Sequence, residues 1–201
     1  MNKLFQSMSK RGFSSMYNYS NAANPKVYLT VQQGENKLGN LVFELYADRQ
    51  PGQAGNFKAL IDGSAVGGKT YIGKTFNKGM AGLGITGGQV CESNVGAYSV
   101  YNPDGDMNLR HHKRGMLTYT NEGPNKNGGE FTITFGEAHF LDGYQTVFGE
   151  LVEGESVLAA MESKVDRQGK VQDTFTIVGG GQKNWLQNLY LYLNSKYKKI
   201  I

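Results

Sequence analysis

The chain contains one cysteine, Cys91, among its 201 residues. A single thiol cannot form an intrachain disulfide, and a zinc site built from several thiolates needs more of them. The sequence therefore excludes disulfide-stabilised folds and thiolate-rich metal centres.

Histidine is scarce as well, and the three imidazoles are those of His111, His112 and His139. No nearby cysteine or carboxylate completes a ligand set around the adjacent pair. We expect no metal site and interpret His111–Arg114 as a solvated basic turn, with a metal site as the less favoured alternative. No cofactor is expected, because the sequence has neither a GxxxxGK[ST] loop nor a GxGxxG after a strand.

Long apolar runs are missing too. No stretch approaches the length of about 18 apolar residues that a membrane-spanning helix requires. The charge balance is mild, with 21 Lys and Arg against 17 Asp and Glu, and no stripe of basic and aromatic residues accompanies it. This balance permits acidic partners or a membrane surface, but it does not require a nucleic acid.

The main positive signal is an alternation of apolar and polar residues with a period of two. It recurs in KVYLTVQ, NLVFELY, GMLTYTN, EFTITF, TVFGELV and DTFTIVG, each bounded by Gly, Asn or Asp. Half-buried strands joined by tight turns have this pattern. Residues 51–61 and 155–163 have helical spacing instead. With 39% apolar residues, the sequence predicts one mainly β domain with two short helices.

Residues 121–149, NEGPNKNGGEFTITFGEAHFLDGYQTVFG, resemble the cyclophilin signature, in which N-x-G-P-N-x-N-x-S-Q-F-F is followed by W-L-D-G-x-H-x-V-F-G. Two further blocks, LGNLVFELYADRQPGQAGNFKAL and YIGKTFNKGMAGLGITGGQV, are similar to other cyclophilin segments in the same order. The resemblance covers residues 26–182. It implies a closed eight-stranded antiparallel barrel capped by two short helices, and a peptidyl-prolyl cis-trans isomerase as ancestor or relative.

The framework part of the signature is retained here, in Asn121, Gly123, Pro124, Asn125, Asn127, Phe131, Leu141, Asp142, Gly143, Val147, Phe148 and Gly149. The part that handles substrate is mostly different. The resemblance implies a remnant peptide-binding pocket formed by Lys78, Leu83, Gly84, Thr86, Thr120, Asn121, Glu130, Thr132, Phe140, Leu141 and Gln145. Within this remnant pocket only Asn121 and Leu141 keep the residue of the family.

Three of these positions bear on catalysis. In the family an arginine is understood to donate a hydrogen bond toward the prolyl nitrogen, and Lys78 occupies its position. Lysine keeps the charge but lacks the planar fork of donors. Thr86 and Glu130 replace two glutamines, so both amides are lost. We therefore assign no catalytic residue and expect weak proline binding and weak stabilisation of the transition state.

The joint change at Lys78 and Glu130 has two interpretations. In the family the arginine and this glutamine face each other across the groove, so the two charges here could form an ion pair that occupies the remnant pocket. Alternatively they are separate solvated charges that contribute little to each other.

The two ends of the chain extend beyond the region of resemblance. Residues 1–25 form an N-terminal targeting or docking arm, because 1–16 are basic and serine-rich and no acid precedes Glu35. This composition is typical of a mitochondrial transit peptide. Residues 183–201 are predicted to form an amphipathic helix, with one face lined by Trp185, Leu189, Leu193, Tyr197 and Ile201. That face could bind a partner, pack back on the barrel, or lie on a membrane surface.

We favour a structural accessory subunit of a large mitochondrial complex, of the respiratory chain or a similar assembly, with a degenerate isomerase site. Its partners would be other protein subunits, contacted through both termini. The alternatives are an active peptidyl-prolyl isomerase or folding helper in mitochondria, and a non-catalytic module that binds a non-proline peptide.

Overall fold

The computed structural model describes residues 17–91 and 95–183. Trp185, Leu189, Leu193 and Tyr197, which we predict to contact a partner, lie outside the described residues, as do residues 1–16 of the N-terminal arm. The strands of the described part are β1 (Lys26–Gln33), β2 (Asn36–Leu45), β3 (Thr75–Met80), β4 (Gly84–Gly87), β5 (Met116–Asn121), β6 (Asn127–Thr134), β7 (Val147–Glu153) and β8 (Phe175–Gln182).

These strands form a closed antiparallel barrel in the order β1-β2-β7-β5-β6-β4-β3-β8. The eight-stranded barrel implied by the resemblance is thus confirmed for the described residues. Closure pairs β3 with β8 through Thr75 opposite Thr176 and Phe76 opposite Phe175. A closed barrel leaves no unpaired edge strand, so the backbone hydrogen bonds of the sheet are satisfied internally.

Two short helices pack on the barrel, as predicted: α1 (Pro51–Asp62) and α2 (Glu155–Glu162). Pro51 begins α1, where its missing N–H costs nothing, and Gly63 ends it with a left-handed φ of 75°. The buried face of α1 includes Phe57, whose ring lies 5.0 Å from that of Phe131 in an edge-to-face arrangement. Helix α1 therefore contributes an aromatic side chain to the barrel core.

The segment before β1 is held on the outside of the barrel by a buried carboxylate. Glu44 is 2% exposed, and it accepts hydrogen bonds from Ser20 Oγ at 2.9 Å, from the Asn21 N–H at 2.7 Å and from Asn24 Nδ2 at 3.2 Å. Tyr19 is 8% exposed, and its ring lies 5.6 Å from that of Tyr46. Residues 17–25 are consequently part of the folded unit.

Candidate functional site

The register of three neighbouring strands brings the central residues of the remnant pocket together. Lys78 on β3 lies opposite Thr86 on β4, and Thr86 lies opposite Thr132 on β6. Residues directly opposite each other in a sheet present their side chains on the same face. One face of β3, β4 and β6 thus carries three of the predicted residues, although they are far apart in sequence.

Three threonine hydroxyls line this face. Thr86 Oγ1 lies 2.6 Å from Thr132 Oγ1, and Thr120 Oγ1 on β5 lies 3.3 Å from the same atom. Thr132 is 6% exposed, so its hydroxyl needs a partner within the protein. The hydroxyls satisfy one another, and the floor of the remnant pocket is polar.

Lys78 and Glu130 form an ion pair beside these threonines. The Lys78 ammonium lies 2.8 Å from Glu130 Oε1, and the two side chains are 60% and 5% exposed, respectively. The ion-pair interpretation is confirmed, and the alternative of two solvated charges is wrong. Because Glu130 is nearly buried while Lys78 is not, the lysine shields a carboxylate that would be costly to leave without a positive partner.

Gly84 lies where strands β4 and β6 come very close. A Cβ at this position would meet the carbonyl oxygen of Ile133 at 2.7 Å and Cγ2 of Thr132 at 2.9 Å. The contact with backbone cannot be relieved by rotating a side chain. No larger residue fits here without a shift of β6, so Gly84 contributes no side chain to the remnant pocket, and its neighbour Leu83 is only partly buried.

One wall of the remnant pocket is the segment that contains a short 3-10 turn, His139–Leu141. The Gln145 N–H donates to the carbonyl of Leu141 at 3.0 Å, and Asn121 Nδ2 donates to the carbonyl of Tyr144. Asn121 and Leu141 are therefore held on the same side of the site. Phe140 is 65% exposed and covers little of the remnant pocket.

Asp142 holds this wall in place through hydrogen bonds. Its Oδ1 accepts from both the backbone N–H and Nδ1 of His111 at 2.8 Å, and its Oδ2 lies 3.2 Å from Nδ1 of His139. Burial would raise the pKa of Asp142, but these hydrogen bonds outweigh it, and the pKa is lowered. The wall thus depends on a carboxylate that stays ionised.

His111 corrects one expectation. We interpreted His111–Arg114 as a solvated turn, but the His111 side chain is 0% exposed and its Nε2 has no hydrogen-bond partner. Burial lowers the pKa of His111, and the opposing effect of Asp142 does not offset it. The imidazole is a neutral buried group that positions the wall. The retained Asp142 of the L-D-G motif was the available signal for this partner.

Within 17–91 and 95–183, no group of three or more His, Cys, Asp or Glu side chains is placed to hold a metal ion. Among the helices of that part of the chain, none has the length and apolar character needed to cross a bilayer.

The chain matches the model of a known family. The model for the cyclophilin type peptidyl-prolyl cis-trans isomerase/CLD domain matches residues 28–181. The match begins within β1, ends within β8, and includes every position of the remnant pocket.

Proposed function

The chain belongs to the cyclophilin type peptidyl-prolyl cis-trans isomerase family, and on that basis we propose that it is a structural accessory subunit of a large mitochondrial complex, of the respiratory chain or a similar assembly. In this proposal the barrel is a rigid block with a degenerate isomerase site. Residues 1–25 and 183–201 carry contacts to other subunits. The proposed location is the matrix or the matrix side of the inner membrane.

The Lys78–Glu130 ion pair is the observation that carries the proposal. Rotation of an X-Pro bond crosses a barrier of about 18–20 kcal/mol, and a catalyst must stabilise the twisted amide. Here the cation nearest the expected position of the prolyl nitrogen is directed at Glu130, 2.8 Å away. Loss of one well-placed donor to a transition state costs about two to three decades of rate.

The polar floor of the remnant pocket supports the same proposal, because it disfavours binding of a proline ring. A proline ring gains affinity by burying apolar surface, at roughly 25 cal/mol per Å². Thr86, Thr120 and Thr132 present hydroxyls where the family has other side chains, and the three hydroxyls are already bonded to one another. A proline ring placed on them would bury polar groups and gain little.

The mitochondrial and structural part of the proposal rests on the ends of the chain. Residues 1–16 combine Lys3, Lys10 and Arg11 with several serines and no acid, which is the composition of a transit peptide. Residues 183–201 add an aromatic, amphipathic segment beyond the region that matches the family. A mitochondrial enzyme acting on passing substrates would need the first segment but not the second.

The alternative function, an active mitochondrial isomerase or folding helper, is favoured by a different observation. Asn121 and Leu141 are the positions that keep the family's residues, and the hydrogen bond from Asn121 to the carbonyl of Tyr144 holds them on one side of the site. A peptide backbone could still be bound there.

A prolyl-peptide isomerisation assay distinguishes the two. We expect the purified protein to accelerate isomerisation far less than an ordinary cyclophilin measured in parallel. Acceleration equal to that reference, and abolished by Lys78→Ala, would overturn the proposal in favour of the enzyme.

Native size tests the structural role separately. The protein extracted from mitochondria under mild conditions should migrate with a much larger assembly. Migration as a free monomer whose two ends are both sensitive to protease would refute a subunit role, and would favour a peptide-binding module.

A further inference from the structure

Four polar side chains form a row at the remnant pocket. The row crosses the neighbouring strands β3, β4, β6 and β5, and its members are Lys78, Thr86, Thr132 and Thr120. The strand register places Lys78 opposite Thr86 and Thr86 opposite Thr132, and Thr120 Oγ1 lies 3.3 Å from that of Thr132. We call these four residues the polar row. Their side chains are close enough to contact one ligand group together.

The hydroxyls of the polar row have one hydrogen-bond donor to spare. Within the described part of the chain the three O–H groups make two hydrogen bonds, both with Thr132 Oγ1. Each hydroxyl has a single proton, so one proton is left over. Thr132 is 6% exposed, and a buried O–H without an acceptor is costly. The unused proton therefore belongs to Thr86 or Thr120, whose half-buried side chains lie at the accessible ends of the three hydroxyls.

Lys78 adds further donors without adding net charge to the site. Its ammonium has three N–H groups, and one of them donates to Glu130 Oε1 at 2.8 Å. The lysine side chain is 60% exposed, so the other N–H groups can reach a ligand. Because Glu130 compensates the positive charge, an anion gains little attraction here, while a cation would be repelled by the nearby ammonium. The polar row therefore suits an uncharged ligand that accepts hydrogen bonds.

We infer that the polar row binds the amide side chain of a glutamine or asparagine on another protein. The amide oxygen has two lone pairs, so it can accept from the Lys78 ammonium and from the unused threonine O–H at once. The amide nitrogen can donate to the lone pairs of the threonine hydroxyls. A proline ring has no polar side-chain atom and would leave these donors unpaired. This inference goes beyond the proposed function, because it names a ligand of the barrel itself.

The surroundings of the polar row leave it open to such a side chain. A side chain at Gly84 would approach Cγ2 of Thr132, and its absence keeps the middle of the row uncovered. The wall adjoins the other end, where Asn121, next to Thr120, donates to the carbonyl of Tyr144. Phe140 and Tyr144 on this wall are 65% and 75% exposed. Their rings offer apolar surface to the methylene groups of the bound residue.

An NMR titration of isotopically labelled full-length protein tests the inference. The probes are blocked hexapeptides that differ at one central residue, which is glutamine, asparagine, leucine, glutamate, lysine or proline. We expect the glutamine or the asparagine peptide to bind about ten-fold more tightly than each of the others, since leucine has the shape of asparagine without its hydrogen bonds. The amide signals of Thr86 and Thr120 should shift during this titration.

The double variant Thr86→Val, Thr120→Val keeps the approximate shape of both side chains and removes their hydroxyls. It should abolish the ten-fold preference. The matched control is Thr176→Val, at a half-buried threonine of β8 outside the polar row, which should leave the preference unchanged. The spectra themselves verify that each variant is folded. If the double variant does not fold, the ranking of the peptides on the unaltered protein decides alone.

Several results would overturn the inference. They are binding of the proline or leucine peptide as tight as that of the amide peptides, tightest binding of the glutamate or lysine peptide, and no binding of any peptide. A preference for amides that survives in the folded double variant would overturn it as well. The titration depends neither on isomerase activity nor on the native assembly, so the inference and the proposed function fail separately.

Discussion

The ammonium of Lys78 lies 2.8 Å from Oε1 of Glu130, yet the lysine side chain is 60% exposed and the glutamate side chain only 5%. Loss of the ion pair would therefore affect the two residues differently. If the pair is broken, Lys78 can be hydrated where it is, whereas Glu130 stays in a nearly dry position.

This asymmetry predicts unequal effects of removing either partner. Lys78→Met should lower the free energy of unfolding by about 1–2 kcal/mol, because a nearly buried carboxylate loses its cation. Glu130→Gln should change it by less than about 0.5 kcal/mol, since the freed lysine is solvated. Urea denaturation followed by circular dichroism measures both. Equal losses for the two variants would contradict the asymmetry.

Reintroducing the family's polar groups should raise activity. In the triple variant Lys78→Arg, Thr86→Gln, Glu130→Gln, a guanidinium fork and two amides return to the site. We expect kcat/KM for a prolyl peptide to rise about 100-fold, which is the contribution of one well-oriented donor. Lys58→Arg, a change of the same kind on the exposed side of α1, serves as the control and should have no effect. A folded triple variant with unchanged activity would show that these groups do not limit the rate.

Two glycine substitutions should act in opposite directions. Gly84→Ala places a Cβ 2.7 Å from a backbone oxygen, and overpacking of this kind costs about 1–3 kcal/mol. Gly55→Ala lies within α1, with nothing within 4 Å of the added Cβ, and should stabilise the protein by about 0.5–1 kcal/mol. Thermal unfolding compares the two. If Gly84→Ala were neutral, the close approach of β6 would not be the reason for glycine at this position.

The buried imidazole predicts a loss of stability in mild acid. Burial lowers the pKa of His111 below its ordinary value of 6.5, and the half-buried His112 is shifted in the same direction. The native state therefore binds fewer protons than the unfolded state. The stabilisation is complete above pH 6.5 and is lost as the pH falls from there through the lowered pKa.

Unfolding free energies measured between pH 8 and pH 5 test this prediction. Stability should decline across that range, and His111→Asn should make the decline shallower. If the slope is the same with and without His111, other groups cause the pH dependence.

The contacts of Glu44 predict which part of the N-terminal arm is needed for stability. Deletion of residues 1–24 removes the three donors from Ser20, Asn21 and Asn24 and should lower the free energy of unfolding by about 3 kcal/mol or more, because a buried carboxylate loses its partners. Deletion of residues 1–16 keeps every one of these donors and should leave stability nearly unchanged. If both truncations behave alike, the arm is not held through Glu44.

The barrel could be predicted from the sequence, but parts of the site could not. Alternation in segments such as NLVFELY identified the strands, and Pro51 identified the start of α1, because both signals are local. The alternation places Glu44 on the outer face, which normally faces water. Its burial depends on residues 17–25 folding back over it, and no local pattern contains that information.

Dependence on residues that are distant in sequence also explains what could not be predicted at the site. His111 is buried through contact with Asp142, which is far along the chain, so a reading of neighbouring residues indicated a solvated turn. The close approach of β6 that requires glycine at position 84 is likewise absent from the local sequence. The ion pair between Lys78 and Glu130 was one of two interpretations of the sequence. It could be considered because the resemblance implies that the two positions face each other, whereas composition alone would not have paired them.

The order of the strands also places two surface features on different parts of the barrel. The remnant pocket is built on β3, β4, β6 and β5. A surface depression on β1, β2 and β7, lined by Tyr28, Asn40, Val42, Glu153, Gly154 and Lys183, shares no strand with it. A protein bound over the threonine floor would leave the Tyr28 side uncovered, and the reverse holds as well. In the proposed accessory role the domain would therefore be a two-sided spacer, which would hold two neighbours apart by the width of one barrel.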